Sequence, residues 1–488
     1  MFDELNINYN KIIINFAILF LYIILFNVRS NSSKHKLRKN ILHYENYDKK
    51  FSGNSFCDSL DPINLFNLRL KNGPINICNQ DNTKHICYSN INGKYNDILM
   101  IKNGLICIME NIVIDPSKSK QSGLIYNGPC DPKHKGFPIL SKGFLNTKCL
   151  HQNINFTINE FYESYLNSWD YNYNKENEQL QELSPGKTVF LLSRNQDSPN
   201  LYHGNCEMIN VISMLYLFNL RPEDVQLLFM ESIEIPEDPF YDIYKYIFSG
   251  GGKPLYLKNL RKKYKISRAI HVPIIFDSTA FTYLMPFNCS SITKTYQLYN
   301  DLIDEYLNIY PYKDEFISEN EIIYYPEKTI KSHEKNIKFR KFITIQWRKL
   351  WPKGRKNQTR LLENGPKLAN KLANSLPNDF VVRLINTAAL PIAKQISVMR
   401  NTDYFIGMHG AGISLSIFLP KNAIVHEVSI SNKRYLIRVM ASMSGHITYS
   451  DIIKSNINHA DGNENISLDE DDFSKSVLSN MKKNKFFI

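Results

Sequence analysis

The sequence predicts an α/β fold with two blocks of parallel sheet, and three of its features support this class. Strand-length apolar segments alternate with segments of helical period from Thr188 to Val428, which is typical of right-handed βαβ units. Hydrophobic residues make up 43% of the sequence and charged residues 22%, which excludes a largely disordered chain. The length of 488 residues suits two or three folded units.

Both blocks repeat the strand–helix unit. In the first block we predict strands at Thr188–Ser193, Asp224–Met230 and Ala269–Phe276, and helices at His203–Phe218, Tyr241–Phe248 and Thr293–Tyr310. In the second block we predict strands at Lys341–Trp347, Phe380–Ile385, Tyr404–Met408 and Ala423–Val428, and helices at Glu363–Leu376, Ala389–Arg400 and Ala411–Phe418. The blocks predict two Rossmann-like domains facing across a cleft, over residues 151–330 and 331–488, the latter with an acidic tail. Ligands of such sheets bind beyond the carboxyl ends of the strands.

The N-terminal region contains an apolar run at Ile12–Val28 that is long enough to cross a thin bilayer. We predict an uncleaved membrane anchor over residues 12–28, after a cytosolic tail at residues 1–11. A cleaved signal peptide is the alternative, but the residues before the run are not basic and no small-residue cleavage site follows. The basic residues after the run would leave the bulk of the chain in the cytosol by the positive-inside rule.

The cysteines indicate the opposite side of the membrane. Six of the eight lie between Cys57 and Cys149, while Cys206 and Cys289 stand apart, and no Cys-x-x-Cys pattern suggests zinc. An even cluster behind an anchor predicts disulfides in an oxidising lumen, so we assign residues 29–150 to a basic linker and a cysteine-rich stem. We therefore expect a single-pass type II protein of the endoplasmic reticulum or Golgi membrane, with a lumenal globular region.

The most informative string is DYFIGMHGAGISLSIFLP at residues 403–420. A buried strand ends in GMHGAG, and a helix begins at once. Glycines permit a tight turn and the close approach of a ligand to the backbone, and the N–H groups of a helix N-terminus favour phosphate. An ordinary strand–helix turn is the alternative. The oxyanion loop of an esterase would need a Gly-x-Ser-x-Gly elbow, which the sequence lacks.

Basic residues are concentrated beyond the first strand of the second block. Lys335 to Arg360 contains ten Lys or Arg residues and no acidic residue, and the whole chain carries 59 basic against 47 acidic residues. A solvated basic loop is the alternative for most of them. Arg348 and Arg360 are the candidates for a diphosphate, because a guanidinium presents a fork of donors. Nucleic acid is not expected as a partner, since no stacking motif, zinc knuckle or helix-turn-helix accompanies the charge.

The third feature is NLYHGNCEMIN at residues 200–210. His203 and Glu207 are four residues apart, which places them on one face of a helix. A carboxylate beside a histidine is able to act as a general base toward a hydroxyl. A surface helix start with a helix-stabilising glutamate is the alternative.

Together these segments resemble family 61 of the inverting glycosyltransferases. GMHGAG, the apolar helix, Phe-Leu-Pro and the strand ending in Glu427 resemble its signature, and Arg348 and Arg360 are similar to its upstream motif. Tyr202-His203 with Glu207 resembles a Tyr-His…Asp segment, although the family usually has Asp at this last position. The first block is most similar to the animal subgroup that transfers N-acetylglucosamine to EGF-like domains.

The resemblance implies a two-domain fold of the GT-B type, a UDP-sugar donor and inversion at the anomeric carbon. It assigns Glu207 as the first candidate base and His203 as the second. It assigns donor binding to Arg348, Arg360, His409, Gly410, Ala411, Gly412 and Glu427. We expect no required cofactor and no metal, because Asp469-Glu470-Asp471, the chain's Asp-x-Asp string, follows no strand.

We therefore expect transfer of N-acetylglucosamine from UDP-N-acetylglucosamine to a hydroxyl of a secreted or membrane glycoprotein, with EGF-like domains among the candidate acceptors. UDP-xylose as donor and an O-mannose glycan as acceptor are alternatives within the family. A non-catalytic lumenal adaptor and a polyanion-binding protein are alternatives from other classes.

Overall fold

Two large β-sheets, a separate two-stranded pair and the covering helices make up the part of the chain that the computed structural model describes. The described residues are 56–71, 73–80, 83–89, 105–121, 138–149, 160–173, 178–194, 200–231, 239–248, 253–274, 289, 292–309, 321–327, 341–347, 362–429, 436–452 and 466–486. The expected anchor at residues 12–28, Arg348, Arg360 and most of the basic run lie outside them. The mixed α/β class is confirmed.

The larger sheet contains nine strands of the described chain in the order β1-β2-β3-β11-β8-β9-β10, with β6 and β7 attached beside β3. Their bounds are β1 Ile75–Gln80, β2 Thr83–Ser89, β3 Leu105–Ile114, β6 Leu145–Asn146, β7 Trp169–Asp170, β8 Thr188–Leu192, β9 Val225–Phe229, β10 Leu255–Tyr256 and β11 Tyr264–Val272; a separate pair consists of β4 Ser119–Gln121 and β5 Pro138–Leu140. Strands β11, β8, β9 and β10 are parallel, as the predicted βαβ units require.

The cysteine-rich region differs from the expected stem, because its strands belong to this sheet. Strand β3 pairs antiparallel with β11, so β1 to β3 extend the parallel part of the sheet. The prediction of disulfides is confirmed: the pairs are Cys57–Cys289, Cys78–Cys149 and Cys87–Cys107. Cys289, which stands apart in the sequence, is therefore bonded to the cluster, whereas Cys206 is a buried cysteine outside these three disulfides.

The smaller sheet has the strand order β12-β14-β13-β15-β16-β17. The bounds are β12 Glu321–Tyr324, β13 Lys341–Gln346, β14 Phe380–Ile385, β15 Tyr404–Met408, β16 Ile424–Ser429 and β17 Ile447–Ile452. All pairs are parallel except that of β12 with β14. The chain runs from β13 to β14 on one side and then to β15 on the other, so the strand order reverses between β13 and β15. Ligands of doubly wound sheets bind at the carboxyl end of such a switch point.

The α-helices are α1 Phe56–Ser59, α2 Pro62–Lys71, α3 Glu160–Asn167, α4 Leu201–Leu217, α5 Tyr241–Ile247, α6 Lys294–Ile309, α7 Gly365–Asn374, α8 Ile392–Arg400, α9 Leu436–Met443 and α10 Glu470–Lys483. The predicted helix at Ala411–Phe418 is a 3₁₀ helix, which begins with a bond from Ile413 N to Gly410 O, three residues back. Among the described helices, none combines the length and apolar composition that a bilayer span requires.

Two buried histidines make the stability of the fold sensitive to acid. Burial lowers the pKa of His271, which packs between Tyr162 and Tyr165, from 6.5 to about 3. Burial, followed by the charge of Arg400, lowers that of His446 to about 4. Between pH 6.5 and 4 the unfolded chain therefore binds protons that the folded chain does not bind, and stability is lost as the pH falls.

We expect the free energy of unfolding to decrease by about 1.4 kcal/mol per pH unit for each of these histidines in that range. His271→Phe keeps an aromatic ring but removes one titrating group, so its unfolding free energy will depend less steeply on pH. Chemical unfolding of the full chain at pH 7, 6 and 5 measures the slope. An unchanged slope in His271→Phe would show that this histidine does not contribute.

Candidate functional site

The glycine turn, Gly407–Gly412, follows β15 at the switch point of the smaller sheet. Gly410 has φ +154° and ψ 174°, a conformation that glycine alone adopts readily. A Cβ on Gly412 would collide with the side-chain amide of Gln346, at the end of β13, and would lie 2.6 Å from its Cδ. Gln346 Nε2 donates to Thr387 Oγ1 at 2.6 Å. The Gln346 amide is therefore held in a position that leaves no room for a side chain at residue 412.

Glu427 of β16 connects this turn to a cation. Its Oε1 lies 2.5 Å from His409 Nδ1, and its Oε2 lies 3.0 Å from Arg438 Nε of α9. Glu427 is fully buried, and its neighbour across the ladder is Gly407, which has no side chain. A buried carboxylate is costly unless it is paired, and Arg438 supplies the opposite charge.

This pairing fixes the orientation of the His409 ring. An ionised carboxylate only accepts hydrogen bonds, so Nδ1 is the nitrogen that carries a proton and donates to Glu427. Chemistry toward a ligand then depends on Nε2, which has a lone pair in the neutral ring and an N–H in the cation. The His409 side chain retains 13% of its exposure. Its backbone N–H donates to Val428 O at 2.8 Å, which holds the turn against β16.

A second histidine–carboxylate contact belongs to His426, the residue before Glu427 in β16. Tyr404 O–H and the Nδ1 of His426 are 3.0 Å apart, and His426 Nε2 lies 2.9 Å from Asp451 Oδ2. Burial acts to raise the pKa of Asp451, but the hydrogen bond and charge of His426 and the hydrogen bond from Ser476 together outweigh it and lower this pKa below its ordinary value. Because His426 is fully buried, and successive strand residues face opposite sides of a sheet, this contact is separate from the glycine turn.

Helix α4 carries the two predicted bases. It begins where Asn200 Oδ1 accepts from Tyr202 N at 3.1 Å, a helix N-cap. His203 is half-buried, and Glu207 is 1% exposed. Gly204 packs against the Phe240 ring, so closely that a Cβ would collide with it. The helix is therefore set deep in the molecule rather than on its surface.

The structure brings α4 against the glycine-turn segment. Asn205 Nδ2 donates to Ser414 Oγ of the 3₁₀ helix at 3.2 Å. A helix turns by about 100° per residue, so His203 and Glu207 share one side of α4 and Asn205 lies on roughly the opposite side. The predicted bases therefore do not face the 3₁₀ helix.

An ion pair that the sequence analysis missed lies at the carboxyl edge of the larger sheet. Arg194 follows β8 and Glu231 follows the neighbouring β9, and Arg194 Nε lies 2.5 Å from Glu231 Oε1. The guanidinium carbon is 3.8 Å from the centre of the Phe229 ring. Both side chains are fully buried, so the pair fixes the two loops that leave these strands. Each residue directly follows a predicted strand, which was the available signal.

Within the described residues, no group of three or more histidine, cysteine or carboxylate side chains arranged to hold a metal includes a residue of the glycine turn. His85, Cys87 and Cys107 lie close together, but the two cysteines form a disulfide. The Asp-x-Asp string is the start of α10, where Asp469 Oδ1 accepts from Asp472 N at 2.9 Å. These acidic residues are thus explained by the N-terminus of a helix.

Comparison with known proteins relates this site to a family. Residues 208–426 match the family described as Glycosyltransferase 61, and we call them the family-61 region. The family-61 region includes Arg348, Arg360 and the whole glycine turn, and His203, Glu207 and Glu427 lie just outside its bounds. The EGF domain-specific O-linked N-acetylglucosamine transferase of Drosophila melanogaster is 27% identical over 238 residues, which cover 47% of this chain. The chain spans 38% of the length of that relative.

Within the family-61 region, we expect Gly412→Ala to destabilise the fold because the new methyl group collides with Gln346. Overpacking of this kind typically costs about 1–3 kcal/mol. Gln346→Ala alone should cost roughly 0.5–1.5 kcal/mol through the lost hydrogen bond to Thr387. The double variant should be more stable than the sum of the two losses predicts, because the collision is removed. Unfolding free energies of the four proteins measure this, and strictly additive losses would contradict the packing argument.

Proposed function

We propose that the chain transfers N-acetylglucosamine from UDP-N-acetylglucosamine, with inversion, to a hydroxyl of a secretory-pathway glycoprotein. The observation that carries this proposal is the His409 ring, held by Glu427 in a glycine turn at the switch point of a family-61 region. In this proposal the two α/β blocks act as the acceptor and donor domains of a GT-B enzyme. The larger sheet with α4 provides the acceptor side, and the smaller sheet provides the donor side.

The donor diphosphate is proposed to bind at the carboxyl ends of β13 and β15. Backbone N–H groups of Gly410 to Gly412 point from a turn followed by a helix, an arrangement that suits phosphate oxygens. His409 Nε2 supplies a further donor when the ring is protonated. We propose that Arg348 and Arg360, which follow β13 in sequence, complete the site with bidentate contacts. We propose that Glu427 acts through His409 rather than directly on the donor, because its side chain is fully buried.

In the proposed reaction, the oxygen of the acceptor hydroxyl attacks the anomeric carbon from the side opposite UDP. The new carbon–oxygen bond forms as the bond from the anomeric carbon to the UDP oxygen breaks, and the hydroxyl proton passes to a base. A base has to meet the hydroxyl within hydrogen-bond distance. His203 is half-buried, whereas Glu207 is 1% exposed, so His203 is the more accessible candidate for the base. This reverses the order that we expected from the sequence. The negative charge that develops on the diphosphate is stabilised by the donor-site cations and amides.

The donor and acceptor rest on the relative, an EGF domain-specific O-linked N-acetylglucosamine transferase by name. We carry its sugar and its EGF-like acceptor to this chain as a proposal. We also propose that protein cations, rather than a bound metal, offset the diphosphate charge, since the Asp-x-Asp string begins helix α10.

The first test measures UDP binding and sugar transfer by the full-length protein with a folded EGF-like domain. We expect UDP to raise the melting temperature and UDP-N-acetylglucosamine to be preferred over UDP-xylose, with activity retained in EDTA. His409→Ala should reduce kcat by about 10²–10³, as the loss of one charge-stabilising donor typically does. Arg348→Ala and Arg360→Ala should each weaken UDP binding.

A matched control for these cationic positions is Arg221→Ala, because Arg221 is half exposed and pairs with Asp224 on the surface. It should leave transfer near the wild-type rate. Heparin binding that UDP does not affect, with no UDP-dependent stabilisation, would replace the proposal with a polyanion-binding role. UDP stabilisation without donor turnover on any acceptor would favour the adaptor role.

We further propose a lumenal location behind an anchor at residues 12–28. The three disulfides of the described residues support it, because disulfides persist in oxidising compartments and are rare in the cytosol. Two of them join residues that are far apart in sequence, with separations of 232 and 71 residues. The Cys78–Cys149 bond thus ties β1 to the segment that follows β6.

In sealed microsomes, protease should leave the large fragment intact until detergent is added. Alkaline carbonate extraction should leave the protein in the membrane pellet if the anchor is retained. Digestion of the large fragment in intact microsomes would contradict the lumenal assignment, whatever the enzymatic result.

A further inference from the structure

A continuous set of hydrogen bonds crosses from the helices of the first block to the glycine turn. Tyr299 of α6 donates its hydroxyl proton to Asn205 Oδ1 at 2.9 Å, and Asn205 Nδ2 donates to Ser414 Oγ at 3.2 Å. Ser414 Oγ in turn donates to the carbonyl of Ala411 at 2.6 Å. Every donor meets an acceptor, so the four groups are consistent with one arrangement of protons.

The surroundings of these bonds are dry and tightly packed. Asn205, Tyr299 and Ser414 are all fully buried. The Tyr299 ring also packs edge-on against Phe418, the last residue of the 3₁₀ helix, with centroids 5.5 Å apart. A buried polar group that loses its partner destabilises its surroundings by its full desolvation cost. The bonds therefore hold α4 in one rotation and at one distance relative to the 3₁₀ helix.

We propose that Asn205 is a positioning residue that fixes the base-bearing helix α4 against the donor-binding glycine turn. This inference rests on the proposed function, in which α4 carries the base and the turn carries the donor. Asn205 lies between His203 and Glu207 in sequence and on the opposite side of the helix from both. Its bond to Ser414 thus sets the direction in which those two side chains project.

Asparagine suits this position because its amide both accepts and donates. Aspartate would only accept when ionised, and it would meet the Ser414 hydroxyl, which already donates to Ala411. Leucine has a similar size but makes neither bond. UDP should bind the smaller sheet and its turn, whereas sugar transfer also requires α4 in its native position and rotation. UDP binding and transfer therefore test the two parts separately.

The experiment uses Asn205→Leu, Ser414→Ala and the double variant in the full-length protein. We expect each single change to leave the Kd for UDP within about twofold and to lower the kcat of sugar transfer roughly tenfold, the effect of about one hydrogen bond. The double variant should be no slower than the slower single variant, because both changes break the same bond. A purely structural role would lower melting temperature without separating kcat from UDP affinity.

Ser213→Ala is the matched control. Ser213 is a fully buried serine of α4 whose hydroxyl donates to Ile209 O within the same helix, at 2.7 Å. The Ser213→Ala protein should transfer sugar at nearly the wild-type rate. Additive losses in the double variant, an equal loss in Ser213→Ala, or a large loss of UDP affinity in Asn205→Leu would each overturn the inference.

Hydrogen–deuterium exchange separates this inference from the proposed function. Asn205→Leu should increase amide exchange in the peptide covering residues 403–418, relative to Ser213→Ala, even if the wild-type protein transfers no sugar. Unchanged exchange there would overturn the inference. A wild-type protein that binds no UDP would contradict the proposed function alone.

Discussion

The contact between Gln346 and the backbone of Gly412 is the constraint on which the rest of the site depends. It joins the end of β13 to the turn after β15, and these are the two strands between which the order of the smaller sheet reverses. A side chain at position 412 would push the turn away from Gln346 and its partner Thr387. The glycine therefore allows the turn to lie against the sheet edge, where a switch point offers room for a ligand.

A buried charge lies at the same edge of the smaller sheet and has to be paired. Glu427 is fully buried, and Arg438, from a helix that follows β16, supplies the opposite charge beside it. Removing one member of a buried pair leaves an uncompensated charge, which costs more than the pair itself contributes. His409 completes the group by donating through Nδ1. One carboxylate thus determines the ring's orientation and links the turn to α9.

The parts of the fold that sequence reasoning predicted are those buried on both faces. Phe380–Ile385 and Tyr404–Met408 have the predicted bounds because each is a largely apolar run, interrupted in the first by Arg383, with polar residues at its ends. The strands β1 to β3 were not predicted, because the disulfide pattern suggested a stem and carried no information on pairing with β11. Arg438 and the Arg194–Glu231 pair depend on contacts between distant segments, which leave no periodic signal in a sequence.

The sequence also did not show how the predicted site residues lie relative to one another. The motif around His409 and the motif around His203 were separate strings, and nothing in their spacing indicated how α4 would be rotated. The structure supplies that rotation through Asn205, which neither motif singled out. Because Asn205 occupies the side of α4 that meets the 3₁₀ helix, the two candidate bases have to act from the other side. In the proposed reaction, an acceptor hydroxyl would therefore approach along α4, past its N-terminal turn, where His203 is the more exposed of the two.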